Sequence, residues 1–197
     1  MDITFLLSHL SKHIRLAPDE QAILAQLLTY RKYKKGQYLI HEGSVQRKTH
    51  FIQKGSARAY YLDAEGYEHV IQLAIEGWWI SDIHSFIKDM PAMLHVQALE
   101  DTELWELSHA NLELLYEKVP QFERYFRIVT QNAFASFQRR MLEKLSMDAE
   151  ARYLAFAQKY PEMNSRLPQK VVASYLGMSA EFISKIKKRI AQKEQGK

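Results

Sequence analysis

The apolar positions of the chain change period along its length. Ile3, Leu6, Leu7 and Leu10 recur at helical spacing. A second helix opens at Pro18-Asp19-Glu20, with proline and acids in its first turn, and carries Ile23, Leu24, Leu27 and Leu28. From Arg31 the helical period gives way to short β-rich runs: Tyr38-Leu39-Ile40, Phe51-Ile52, Ala57 to Leu62, Val70 to Ile75, Trp78 to Ile80, Met93 to Leu99 and Glu103 to Leu107. Gly36, Gly43, Gly55, Gly66 and Gly77 punctuate them, a pattern that predicts an antiparallel sandwich or barrel. Asp82 to Lys88 reads as one helical turn inserted in it.

Helical spacing returns at Ser108-His109-Ala110-Asn111, followed by Leu112, Leu114 and Leu115. Pro120 opens a long helix reaching about Met147. Its apolar residues cover more than half of the circumference, where a surface helix needs one stripe. The helix is therefore expected to be buried on two sides, against the β-domain and against a partner. Phe122, Phe126, Val129, Ala133, Phe134, Phe137 and Met141 are the expected dimer contacts. A central core helix of a monomer is the reading the pattern leaves open. A domain boundary is expected near Ser146-Met147-Asp148.

Composition narrows the class. Hydrophobic residues make up 47% and charged residues 25% of the 197 positions, as in an ordinary globular protein. With Cys at 0, thiol nucleophiles and Cys-ligated zinc or iron–sulfur centres are excluded. The first sixteen residues include Asp2, Ser8, His9, Lys12 and His13, which does not fit a signal peptide. No stretch approaches the ~18 apolar residues of a membrane span. A cytoplasmic protein with no membrane partner is expected.

The charge is uneven. From Arg166 to Lys197 eight basic residues face two acids, a net of +6, which leaves −2 for the preceding 165 residues. Such asymmetry suits a polyanionic partner, although a solubilising basic tail is the simpler reading of charge alone.

The segment from Gln169 to Ile186 adds a spacing to that charge. Ala173 is small enough for two helices to cross, and Gly177 four positions later tolerates the positive φ of a tight turn. Val172, Leu176, Met178, Ile183 and Ile186 fall at inward offsets, and Ser179 can cap a second helix with Glu181 in its first turn. This is a helix-turn-helix pattern, with a generic αα-hairpin as the alternative. The N-terminal end of the second helix enters the major groove in such motifs, which puts Ser179, Ala180, Glu181, Ser184 and Lys185 at base edges. Lysine can donate to guanine and glutamate can accept from cytosine. Lys187, Lys188, Arg189, Lys170 and the amide end of the first helix at Gln169 are the expected phosphate contacts.

A glycine-punctuated β-roll, a long helix and a C-terminal helix-turn-helix together resemble the Crp/Fnr family of bacterial transcription regulators. In the roll the resemblance rests on Lys35-Gly36-Gln37-Tyr38-Leu39-Ile40, Glu42-Gly43, Phe51-Ile52-Gln53-Lys54-Gly55, Gly66 and Glu76-Gly77. In the C-terminal segment it rests on Pro168-Gln169-Lys170, Ala173 to Gly177 and Ser179 to Arg189, similar to a compact branch common in Bacteroidetes. It implies an α+β chain. Residues 1–118 would form a double-stranded β-helix, a jelly-roll resembling cyclic-nucleotide-binding domains, with flanking helices. Residues 119–147 would form the dimerisation helix, and 148–197 a winged-helix-like helix-turn-helix domain whose wing is absent or very short. It implies a homodimer on near-palindromic double-stranded DNA, with RNA polymerase as a further partner.

Within that resemblance the nucleotide-binding positions depart. Cyclic-nucleotide binders of the family carry a Gly-Glu-Leu turn, where this chain reads Ser81-Asp82-Ile83, and an Arg-Ser pair for the phosphate, which falls near Ala92-Met93. A cyclic phosphate needs a compensating cation or a nest of amides. No cofactor is expected, and any small-molecule effector is unknown. Trp79, Ser81, Asp82, His84, His95 and Gln97 are the expected wall of an effector pocket, unless Trp78, Trp79, Ile80 and Phe86 simply fill the roll. A nucleotide-responsive activator with a rewired phosphate contact is the first alternative. A cupin-like metalloenzyme is the second, but His41, His50, His69, His84 and His95 are scattered and no His-x-His occurs. No hydrolase, Walker or dinucleotide motif is present, so neither an enzyme nor a metal site is expected.

Overall fold

The structure, a computed structural model, describes residues 2–195; the remaining positions of the expected ranges 1–118 and 148–197 lie outside the described residues. Two N-terminal helices, α1 (Thr4–Leu10) and α2 (Pro18–Leu27), precede eight strands. These are β1 (Thr29–Tyr33), β2 (Tyr38–Ile40), β3 (Lys48–Lys54), β4 (Ala57–Leu62), β5 (Glu68–Ala74), β6 (Trp79–Ile80), β7 (His95–Ala98) and β8 (Thr102–Ser108), with α3 (Ile83–Lys88) between β6 and β7. They form two four-stranded antiparallel sheets, β1-β8-β3-β6 and β2-β7-β4-β5.

Alternation along the strands fills the roll with aliphatics. Leu39, Ile52, Ala59, Ile80, Val96 and Leu104 pack in one buried cluster between the sheets. Gly55 is obligatory at the β3–β4 turn. It has a φ of 100°, and a Cβ there would lie 2.6 Å from Thr102 Oγ1 and 2.8 Å from the Asp101 carbonyl oxygen.

Strand β1 escapes the hydrophobic reading because its sequence, Thr-Tyr-Arg-Lys-Tyr, is mostly polar. Its charges are answered across the ladder: Tyr30 and Lys32 meet Glu103, while Arg31 and Tyr33 meet Glu106.

The outer face of the first sheet carries α1, α2, α4 (His109–Lys118) and the start of α5 (Gln121–Ser146), packed around Phe51, Trp105 and Leu107. Phe122 and Tyr125 are buried in this cluster, and Phe126 and Val129 lie against it. The expected dimer set therefore needs correction. Its first three members cover the protomer's own roll, because α5 divides its apolar surface lengthwise rather than around its girth. The later half is bare: Phe134 is 60% exposed, Phe137 46%, Met141 42% and Leu145 80%, with Ala133 also exposed.

Helices α6 (Ala149–Lys159), α7 (Pro161–Arg166), α8 (Gln169–Leu176) and α9 (Ala180–Gln195) follow, with Asp148 capping α6 through the Ala151 amide at 2.8 Å. Among the described residues no strand follows α5. These helices do not own a separate core. Tyr153, Phe156, Met163, Val172 and Ile183 share one buried cluster with Tyr60, Val70 and Leu73 of the second sheet and with Ile75 just after it. No described helix is long and apolar enough to cross a membrane.

Candidate nucleic-acid interface and sensor roll

The α8–α9 unit is built from the turn outward. Gly177 takes the left-handed conformation with φ 67°, its amide bonds Ser174 O at 3.1 Å, and Met178 N bonds Ala173 O at 3.0 Å. Ser179 Oγ accepts the Phe182 amide at 3.1 Å, capping α9. Ile183 and Ile186 are fully buried on the inner face of α9, and buried Ala173 lies in the same cluster.

That geometry leaves Ser179, Glu181, Lys185, Lys187, Lys188 and Arg189 exposed on α9 and Lys170 exposed on α8, with Ala180 half-buried. Arg189 pairs with Glu150 of α6. The Glu181 carboxyl is held below its ordinary range by its own backbone amide and the Ser179 hydroxyl.

Two expected contacts have other work. Gln169 Nε2 donates to Ala180 O and to Ser184 Oγ, both at 2.7 Å, and Ser184 Oγ donates to Ala180 O at 3.1 Å. Both side chains brace the crossing of α8 on α9. Phe182, outside the expected contacts, is also 39% exposed. Helical periodicity held the signal, since Phe182 lies one turn before Lys185. An aromatic edge there can meet a thymine methyl.

The six residues expected to wall an effector pocket are not brought together. Trp79 points out of the roll, packs on Phe51 and Phe126, and donates Nε1–H to Tyr125 Oη at 2.9 Å. His84 is exposed on α3, and Ser81 is half-buried before it. Alternation in β7 sends Val96 and Ala98 inward and His95 and Gln97 to the outer face of the second sheet. There His95 packs on Tyr38 and Tyr60, with ring centroids 5.4 and 5.2 Å away, and Gln97 accepts from Arg58 at 2.8 Å.

Asp82 is 2% exposed. Its Oδ1 accepts the Ser85 amide at 2.9 Å, and Oδ2 accepts the Met93 and Leu94 amides at 2.7 and 2.9 Å. One carboxylate thus ties the start of α3 to the segment entering β7.

A polar cluster that hydropathy could not reveal lies inside the roll. Glu106 accepts from Tyr33 Oη at 3.0 Å, Lys48 Nζ at 3.3 Å and Arg31 Nε at 3.4 Å, and His50 Nε2 stands 3.7 Å away. Burial pushes the Glu106 carboxyl up, but His50, Tyr33 and Lys48 outweigh it and bring it to about 2. Burial and the Glu106 charge push the Tyr33 hydroxyl up to about 12. The remaining histidines are dispersed: His41 packs edge-on to His95 at 6.0 Å, and His69 meets Asp63 at 2.6 Å. Among the described residues no group of three His, Cys, Asp or Glu is placed to hold a metal ion.

Comparison with known proteins adds relatives to this geometry. Residues 30–119 match the cyclic nucleotide-binding domain family. The chain is 25% identical over 166 residues to the anaerobic regulatory protein of Aggregatibacter actinomycetemcomitans, covering 78% of this chain and 63% of that protein. It is 23% identical over 178 residues to the transcriptional activator protein Anr of Pseudomonas protegens, covering 83% of this chain and 71% of Anr. The chain therefore spans less than two thirds of the length of the first of these relatives. The fold is similar to that of FixK2 from Bradyrhizobium japonicum, with a TM-score of 0.72 at 18% identity, covering 85% of this chain and 86% of that one.

Proposed function

We propose that this chain is a regulator of the Crp/Fnr type, like the relatives it is similar to, and that it is a homodimeric, sequence-specific DNA-binding transcription regulator. The observation that carries the reading is the exposed N-terminal half of α9, with Glu181, Phe182 and Lys185, held off the left-handed turn at Gly177. Lys170, Lys187 and Lys188 flank it as phosphate contacts. The bare apolar half of α5, from Ala133 through Phe134, Phe137, Met141 and Leu145, supplies the dimer seam.

In this reading residues 1–118 are the sensor unit, 119–147 the dimer helix and 148–197 the reader. The work is done in the cytoplasm, on DNA and with RNA polymerase. Its effector is not cyclic AMP. Ala92 brings no cation to the phosphate position, and the neighbouring amides of Met93 and Leu94 are already bonded to Asp82.

Selection of preferred sites from random duplexes tests the whole reading. The expected outcome is a near-palindrome with half-sites about 10 base pairs apart, centre to centre. Absence of affinity for any duplex at low ionic strength overturns it.

A further inference from the structure

The reader unit is not carried on α5 alone; it is fastened to the roll. Strand β5 is the outer strand of the second sheet, so one of its edges has no strand partner. Helix α8 covers that edge with a side chain. Ser174 Oγ donates to the Glu68 carbonyl at 2.6 Å and accepts the Val70 amide at 3.0 Å, standing in for the missing strand. A second tie comes from the end of α7. Arg166 forms a bidentate pair with Glu76, both contacts 2.8 Å, and reaches Glu100 at 2.8 Å. Glu76 is itself anchored, because Oε1 accepts the Gly55 amide at 2.6 Å. Next to Ser174, the ring of Tyr175 lies 4.3 Å from the guanidinium of Arg140 on α5.

We propose that Ser174 and Arg166 form a latch that holds the DNA-reading helices on the edge of β5, and that the latched arrangement is the DNA-competent one. The inference rests on the DNA-binding reading above and adds how the reader is aimed. The latch uses the face of α8 and the end of α7 that meet the roll, while Lys170, Glu181, Lys185 and Lys188 stay exposed. An occluding contact would cover those residues. A reader fixed in place also avoids the ordering cost that a freely hinged reader incurs on binding. Unlatching lowers the fraction of competent molecules, and apparent affinity falls with that fraction. The roll thereby sets the direction of both recognition helices without needing a bound ligand.

The chain contains no cysteine, so an engineered pair oxidises without competition. Val70→Cys with Ser174→Cys puts one thiol on β5 and one on α8, at the two residues joined by the Ser174–Val70 amide bond. Binding to the selected operator is measured on the full chain, oxidised and reduced, at one salt concentration. The oxidised protein is expected to bind at least as tightly as the reduced one. Loss of binding on oxidation, with binding in the reduced form, overturns the proposal. The second measurement moves charge instead of adding a bond. Arg166→Glu is expected to weaken binding about tenfold, and adding Glu76→Arg, which re-forms one opposite-charge pair, is expected to restore part of it. Absence of restoration also counts against the latch. If the unmodified protein binds no duplex, the functional reading itself has failed, a result seen before any variant is compared.

Discussion

The carboxylate of Asp82 accepts the backbone amide of Met93 at 2.7 Å, across eleven residues of chain. With Leu94 and Ser85 it holds three amide donors in a buried position. An anion arriving at this corner of the roll would have to displace the chain's own carboxylate. Asp82→Ala leaves those amides without an acceptor, and each unsatisfied buried group costs about 1–3 kcal/mol. Denaturant unfolding is expected to show a loss of that size or more for Asp82→Ala and a smaller one for Asp82→Asn, which keeps an acceptor. Calorimetric titration of the unmodified protein with cyclic AMP is expected to give no heat of binding.

The two halves of α5 should respond differently to the same substitution. Phe134→Glu places a charge on the bare half and is expected to give folded monomers, read by sedimentation and circular dichroism. Phe122→Glu buries a charge in the protomer's core, where even truncation of a phenylalanine costs about 3–5 kcal/mol, and is expected to unfold the chain. An unchanged dimer in Phe134→Glu would place the seam elsewhere.

On the reading helix, Lys185→Ala is expected to cost about 1–3 kcal/mol on the selected operator and to relax preference at one base pair. Replacing Lys187 and Lys188 together by Ala should weaken binding to specific and random duplexes alike. The slope of log affinity against log salt should fall by about one for each phosphate contact removed. Mobility-shift titrations at two salt concentrations separate the cases, and equal losses on both duplexes for Lys185→Ala would remove it from base reading.

The Glu106 cluster makes an acid limb. Its carboxyl is lowered from 4.5 to about 2 in the folded protein. A lowered folded value means the unfolded chain binds the proton more readily, so the contribution is complete above 4.5 and is lost as pH falls towards about 2. Glu106→Gln is expected to flatten that part of the stability profile measured by urea unfolding between pH 5 and pH 2. An unchanged slope would show that the acid limb comes from other carboxyls.

Local pattern was enough for much of this protein. The switch from helical to alternating period, the turn glycines, Pro18 and Pro120 at helix starts, and the Ala173–Gly177 spacing each depend on a few neighbouring residues, and the elements follow them closely. The amphipathic reader with exposed lysines was legible for the same reason. The β1 strand was not, because cross-strand partners more than 70 residues away neutralise its charges. Sequence could count the apolar residues of α5 but could not say which ones the protomer keeps for itself. Tertiary structure alone decided that Phe122 is interior and Phe134 is free, that His95 and Gln97 face outward, and that Ser174 meets an edge strand 104 residues earlier. Those outcomes depend on which surfaces two distant segments present to each other, and periodicity within either segment carries no record of that meeting.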